Sequence, residues 1–265
     1  MRSLMGESIK RFLKTEMLGK VTYSFEEVVS TNDVAFELGR NGASEWTVVI
    51  ADSQSEGRGR LGRRWISPAG VNLYMSVIFR PQIAAKDAPV LTLVSAISVA
   101  EAVRAEGAEN ATIKWPNDVI INGKKAAGIL TEMESKGDNV DFIVVGIGVN
   151  LNMTGEMMEQ EMGEVAGIAT SLREAVSHEI ERIKFTSNLI SKLDVWYQKF
   201  LNNGKPPIIR RWMEMWEAIH RRVRVSFDER IIEGIASGID EDGYLILKRY
   251  DGTTEKIISG DVILL

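Results

Sequence analysis

Beyond Arg222 the apolar pattern changes abruptly to period two and keeps it to the end of the chain. Val223, Val225 and Phe227 alternate, and residues 231–239, 244–250 and 257–264 follow suit, divided by Asp240-Glu241-Asp242-Gly243 and Asp251-Gly252 turns. Such alternation belongs to half-buried strands joined by tight turns. Four short strands in so little chain make a small β-barrel or sandwich near the lower size limit for a unit of its own. The sequence therefore divides into residues 1–220 and a C-terminal domain of residues 221–265.

Upstream the period is mixed. Residues 21–29, 47–51 and 71–80 read as strands, the last with Leu73, Met75, Val77 and Phe79 on one face. Ser30-Thr31-Asn32-Asp33 reads as a helix N-cap. Val90, Leu93, Val94, Ile97 and Ala100 form one stripe of a helix over residues 89–104. Strands at 111–115 and 119–121 precede an Asn122-Gly123 hairpin into 126–134, and 140–148 is another strand. Helix is expected from 170 to about 201 and, after Asn203-Gly204 and Pro206-Pro207, to about 220. The fold class is α+β: a mixed sheet with helices packed against one face, plus the small C-terminal β-domain.

Composition then excludes chemistries. A net charge of -5 disfavours a protein that coats nucleic acid non-specifically. With no cysteine there are no disulfides, thiolate metal sites or cysteine thioesters. His178 and His220 lie in charge-rich, helix-like stretches and read as solvated helix faces, which argues against a histidine zinc site or a Ser-His-Asp triad. The first twenty residues lack the apolar core of a signal peptide, and no run of eighteen uncharged apolar residues occurs. A soluble, cytoplasmic protein is expected, without membrane partners.

The most informative stretch is Gln54 to Trp65. Gly57 to Gly62 matches G-x-G-x-x-G after a strand, but Pro68, Gly70 and strand-type residues follow where a dinucleotide fingerprint would open a helix. Instead, four arginines stand among three glycines within eight residues. Guanidinium groups so close repel one another unless anionic oxygens come between them, and glycine lets backbone amides approach a ligand. The expectation is a mobile anion-binding loop that orders on its ligand. Lys114-Trp115-Pro116-Asn117-Asp118 and Gly123-Lys124-Lys125-Ala126-Ala127-Gly128 place lysines on strands beside small residues, which suits phosphate neutralisation. In Gly146-Ile147-Gly148-Val149-Asn150 the glycines permit close approach of another group. Met153, Met157, Met158 and Met162 read as ordinary helix packing and match no motif.

These stretches, together with Ser30-Thr31-Asn32, Gln54, Ser67-Pro68, Gly70, Asn72-Leu73-Tyr74 and the C-terminal strands, closely resemble the biotin protein ligases over residues 21–265. The resemblance implies a class II synthetase-like catalytic domain with an SH3-like barrel. It implies an enzyme that uses MgATP to activate biotin as biotinyl-5'-AMP and then transfers it to a lysine of a biotin carboxyl carrier protein. Carried over by motif, Ser30, Thr31, Asn32, Gln54, Gly57, Arg58, Trp65 and Gly128 border biotin. Arg60, Arg63, Asn117 and Asn150 meet the nucleotide, and Lys125 spans the biotin carboxylate and α-phosphate. Lys125, Arg60 and Asp118 are the catalytic candidates, with Asp118 orienting the acceptor lysine, positioning magnesium or capping a turn. Magnesium is expected on phosphate oxygens, without a dedicated protein cage.

Some members of the family also carry an N-terminal DNA-binding domain. About 20 residues precede the first strand here, too few for such a domain, so no DNA partner is expected. The resemblance leaves a homodimer open. The rival readings are a lipoate ligase on the same scaffold and a nucleic-acid module. The latter is weakened by the acidic charge and by the lack of aromatics interleaved along the C-terminal strands.

Overall fold

The structure, a computed structural model, describes residues 21–227 and 230–265. Expectations that concern residues 1–20, for a signal sequence and a DNA-binding domain, lie outside the described residues. Seven strands form one mixed sheet: β1 (Thr22–Val28), β2 (Val48–Gln54), β3 (Leu73–Phe79), β4 (Thr112–Lys114), β5 (Asp118–Ile121), β6 (Lys124–Lys136) and β7 (Asn139–Val149). Their order is β1-β2-β3-β7-β6-β5-β4. The β1–β2 pair is parallel, because the chain crosses over through helix α1 (Thr31–Arg40) between them, and the other neighbours are antiparallel.

The period of two decides what each face of the sheet carries. Val48 and Ile50 of β2, Leu73, Met75, Val77 and Phe79 of β3, and Ile143, Val145, Ile147 and Val149 of β7 enter the main core. That core lies under α2 (Val90–Ala105), α5 (Arg182–Asn203) and α6 (Pro206–Glu214). The intervening Val49, Ile78, Phe142 and Val144 face the other way, onto Ala35 of α1. Helices therefore cover both faces, not one as the sequence suggested, although α1 covers only part of the second. The rest of that face is where the cavity described below opens.

Helix α2 is buried along most of its length because it lies between the sheet and α5. Residues Ala85–Ala105 are long and apolar enough to cross a membrane, but 72% of that window is buried inside the protein. This is the core helix of the fold.

A short helix α3 (Gly155–Met162) follows β7, and the long helix expected over 170–201 is two. Ser171 caps α4 (Leu172–Val176), and Ser177 ends it in a left-handed conformation at φ 62°. Glu181 then caps α5 through the amides of Ile183 and Lys184. His178 and His220 are exposed in turns, which corrects their placement on helix faces. Helix α6 stops at Glu214, short of 220, because the chain joins the edge of β4: Ile113 N donates to Met215 O (2.8 Å), and Glu217 N to Ile113 O (3.3 Å).

Tyr197 of α5 packs edge-on against Trp46 (4.6 Å between centroids) and donates to Glu45 Oε1 at 2.6 Å. Burial, reinforced by that carboxylate, pushes its phenol well above the usual range. Tyr197→Phe removes a bond to a charged acceptor and should cost about 1.5–3 kcal/mol. Urea unfolding would read this as a lower midpoint with an unchanged slope.

The C-terminal strands are β8 (Arg222–Phe227), β9 (Arg230–Ile239), β10 (Leu245–Lys248), β11 (Thr254–Ile257) and β12 (Asp261–Leu264), in the order β11-β10-β9-β8-β12. There are five where four were expected. Residues 258–260 interrupt the last one, and Gly260 at φ 148° packs so closely on β8 that an added Cβ would meet Val225 Cγ1 at 2.9 Å. The domain leans on the rest of the chain: Trp115 Nε1 donates to Gly243 O (3.0 Å), and Lys205 pairs with Asp242 (2.9 Å).

Candidate active site

A cavity of about 710 Å³ opens on the sheet face opposite α2. It exists because small residues occupy that face where the strands meet. Register pairs Ser76 with Gly146, and Gly146 with Leu130; one step along, Tyr74 pairs with Gly148, Gly148 with Gly128, and Gly128 with Asp118. Larger side chains would fill this space, and two nearby groups use it. An added Cβ on Gly148 would stand 2.5 Å from Trp65 Cε2, and one on Gly146 would stand 2.1 Å from Asn32 Oδ1. The close approach expected at these glycines is thus made by an indole and an amide of the protein itself.

One end of the cavity is polar and neutral. Ser30, Thr31 and Asn32, where β1 gives way to α1, are all nearly buried. Thr31 N donates to Gln54 Oε1 (2.9 Å), and Gln54 Nε2 to Ser67 Oγ (2.9 Å). Ser76 Oγ lies 2.8 Å from Thr31 Oγ1 and 2.6 Å from Asn32 Oδ1. Asn32 Nδ2 in turn donates to Glu132 Oε2 (2.7 Å). Ser30 occupies the N-cap position of α1 as expected, but its side chain makes no capping bond and lines the cavity.

Next along the strands comes an apolar floor of Trp65, Gly128 and Gly148, and Met162, Val165, Ile168 and Ala169 also line the cavity. The methionine-bearing segment therefore has two roles: Met153 and Met158 are buried as packing, while its far end closes the cavity. Its placement was not legible in the sequence, because nothing local says that Thr170 N will bond Lys125 O (2.9 Å).

The other end is cationic. A register shift in the β5–β6 ladder, between Val119 and Ile120, lets Lys125 share the cavity with Gly128; an added Cβ on Gly128 would be 3.4 Å from Lys125 Nζ. Lys125 Nζ pairs with Asp118 Oδ1 (2.7 Å) and stands 5.4 Å from the Trp65 ring centre. Arg60 donates to Asn117 Oδ1 (3.3 Å) and to Ser259 Oγ (3.0 Å). Burial lowers its pKa, opposed by the carboxylates of Asp261 and Asp118, and a guanidinium remains charged regardless. Arg63 grips Asp261 with both terminal nitrogens, which holds that carboxyl below the usual carboxylate range. Apart from Asp118 Oδ1, which has its ion pair with Lys125, two buried polar atoms at the site, Trp65 Nε1 and Asn150 Oδ1, find no hydrogen-bond partner among the described residues. Such atoms in a cavity wall suit a polar ligand.

Of the fourteen residues singled out from the sequence, thirteen line this one cavity. Gly57 does not. It lies behind the wall, where an added Cβ would be 2.4 Å from Trp65 O. Arg58 sits on the rim between Asp33 (2.6 Å) and Glu132 (2.8 Å). The loop arginines are thus interleaved with the protein's own oxygens, and the loop is folded, with a short helical turn at Arg60–Gly62 and an Arg58–Arg64 bridge. Sequence reasoning missed these partners, Asp33, Glu132, Ser259 and Asp261, because each is distant in the chain or unremarkable in type. It also passed over Ser76, whose only sequence signal is a serine in an otherwise apolar strand.

A mixed sheet that carries such a cavity at its centre, with an arginine-glycine loop over it and a small β-domain at its cationic end, defines a ligase of the biotin and lipoate type. The sequence model of the Biotin/lipoate A/B protein ligase family matches residues 24–150, and that of the Biotin protein ligase C terminal domain matches residues 219–265. The chain is 37% identical to the bifunctional ligase/repressor BirA of Bacillus spizizenii, over 98% of this chain and 79% of that one. It is 34% identical to a biotin–[acetyl-CoA-carboxylase] ligase of Paracoccus denitrificans, over 83% of this chain and 90% of that one. A biotin protein ligase from Aquifex aeolicus, solved with biotin and ATP, superposes with a TM-score of 0.76 at 28% identity, over 93% of this chain and 99% of that one. The chain belongs to the biotin protein ligase family.

Proposed function

We propose that this chain activates biotin with MgATP as biotinyl-5'-AMP and transfers the biotinyl group to a lysine of a carboxylase carrier protein, in the cytoplasm. The observation that carries the reading is the order of polarity along the cavity. Biotin has a neutral hydrogen-bonding ureido head, an apolar body and an anionic tail. Along β6 and β7 the cavity presents, in the same sequence, Asn32 with Ser30, Thr31 and Gln54 at Gly146, then the Trp65 and glycine floor at Gly148 and Gly128, then Lys125 and Arg60.

In the first step a carboxylate oxygen bonds to the α-phosphorus and pyrophosphate leaves; in the second an amine displaces AMP and loses a proton. The difficulty of the first is an anion approaching a polyanion, and preorganised positive charge lowers it. Lys125, fixed by Asp118 and the Trp65 face, stands where both anions converge. Arg60, Arg63, Asn117 and Asn150 border the nucleotide. The residues fit magnesium carried on phosphate oxygens, since the carboxylates Asp118 and Asp261 already face cations of the protein.

Incubation of the protein with a purified carboxylase carrier domain, biotin and MgATP should add one biotinyl group to one lysine by mass spectrometry. Omitting any component, or replacing biotin by lipoate, should abolish the addition. An unmodified carrier under complete conditions would sink the reading.

A further inference from the structure

The loop arginines are compensated unequally. Arg58 meets carboxylates of α1 and β6, within the large sheet unit. Arg60 and Arg63 reach instead to the C-terminal domain: Arg60 to Ser259 Oγ, and Arg63 to both carboxylate oxygens of Asp261. Ser259 and Asp261 flank Gly260, whose close packing on Val225 fixes where the two side chains stand. One loop thus grips both sides of a single turn, 199 and 198 positions further along the chain. Residues 261–264 complete that wall of the cavity.

We propose that Asp261 is a positioning residue, the catch on which the arginine-glycine loop closes, so that the C-terminal domain governs how long the activated intermediate stays in the cavity. The proposal rests on the function proposed above and deepens it. The catch is separable from the fold, because β12 is held by its own ladder to β8, from Asp261 opposite Ser226 to Leu264 opposite Val223, with or without a charge at Asp261. Its strength is set by exposure. The Arg63 and Asp261 side chains are 61% and 39% exposed, so the pair is partly screened by water and salt, though its two-pronged geometry is the favourable one. An intermediate that hydrolyses in water is protected while the loop stays shut. Opening separates Arg63 from Asp261, so the carboxylate contributes to the closed state alone.

The test is pyrophosphate release with biotin and MgATP and no acceptor. The native chain should give a burst close to one pyrophosphate per chain and then a slow leak. Asp261→Asn should keep the burst and raise the leak about five-fold, the scale of a partly exposed ion pair. Asp261→Glu should hold the leak near the native rate, and added salt should speed the leak of the native chain but not of the Asn variant. The catch is overturned if the Asn variant leaks at the native rate, if the Asn and Glu variants leak alike, or if the Asn variant alone loses its burst, which would place Asp261 in the chemistry. A native chain without a burst would overturn the functional reading itself.

Discussion

Lys125→Ala should slow biotin-dependent pyrophosphate release by about 10²–10³-fold, the loss expected when one preorganised charge is removed from a site where negative charge gathers. The effect is large because the ammonium is fixed from three sides: Asp118 at 2.7 Å, the Trp65 ring, and the space left by Gly128. Truncation also leaves Asp118 without its cation, adding a negative charge beside an incoming anion. Lys125→Arg should recover little, since a planar fork does not fit the space of a point charge beside that indole. Stopped-flow measurement of pyrophosphate in a single turnover reads the step directly. A native rate in the alanine variant would remove Lys125 from the chemistry and move the role to Arg60.

Gly146→Ala should damage the opposite end of the cavity. The new methyl would stand 2.1 Å from Asn32 Oδ1 and 2.8 Å from Asn32 Cγ, in a strand paired on both sides by β3 and β6. The strand cannot yield without breaking both ladders, so the buried amide must. Its displacement breaks the contact with Ser76 and the bond to Glu132, and Glu132 in turn steadies Arg58. Overpacking of this kind costs about 1–3 kcal/mol of stability. Biotin affinity, measured by calorimetry, should fall by about ten-fold or more, the equivalent of about 1.4 kcal/mol or more. Gly155→Ala is the control: its methyl would meet a single atom at an ordinary 3.9 Å. Native biotin affinity in Gly146→Ala would show that Asn32 takes no part in holding the head of the ligand.

The arginine-glycine stretch was legible because four like charges so close need compensating oxygens, and β3 was legible because Leu73, Met75, Val77 and Phe79 alternate and enter the main core together. The ordered motifs named residues that lie far apart in the chain, and nearly all of them line a single cavity. Less legible were the ends of helices. The break at Ser177 and the early stop of α6 at Glu214 depend on what the chain meets next, in the second case the edge of β4, and helical propensity carries no record of that. The mobile loop was an inference from repulsion among arginines. It was incomplete because the compensating carboxylates lie between 25 and 198 positions away, by the numbering of Asp33, Glu132 and Asp261 against Arg58 and Arg63.

The sequence by itself determined most of the strands that carry the site and the chemical types gathered in it, since periodicity, turn residues and side-chain chemistry are local properties. The tertiary structure decided three things. Glycines of neighbouring strands fall into register and open the cavity; a shift in the β5–β6 ladder sets Lys125 over Gly128; and the C-terminal turn meets the loop arginines. Each depends on pairings between distant segments, and a side chain's own neighbours in the chain do not specify which strand or turn will stand opposite it.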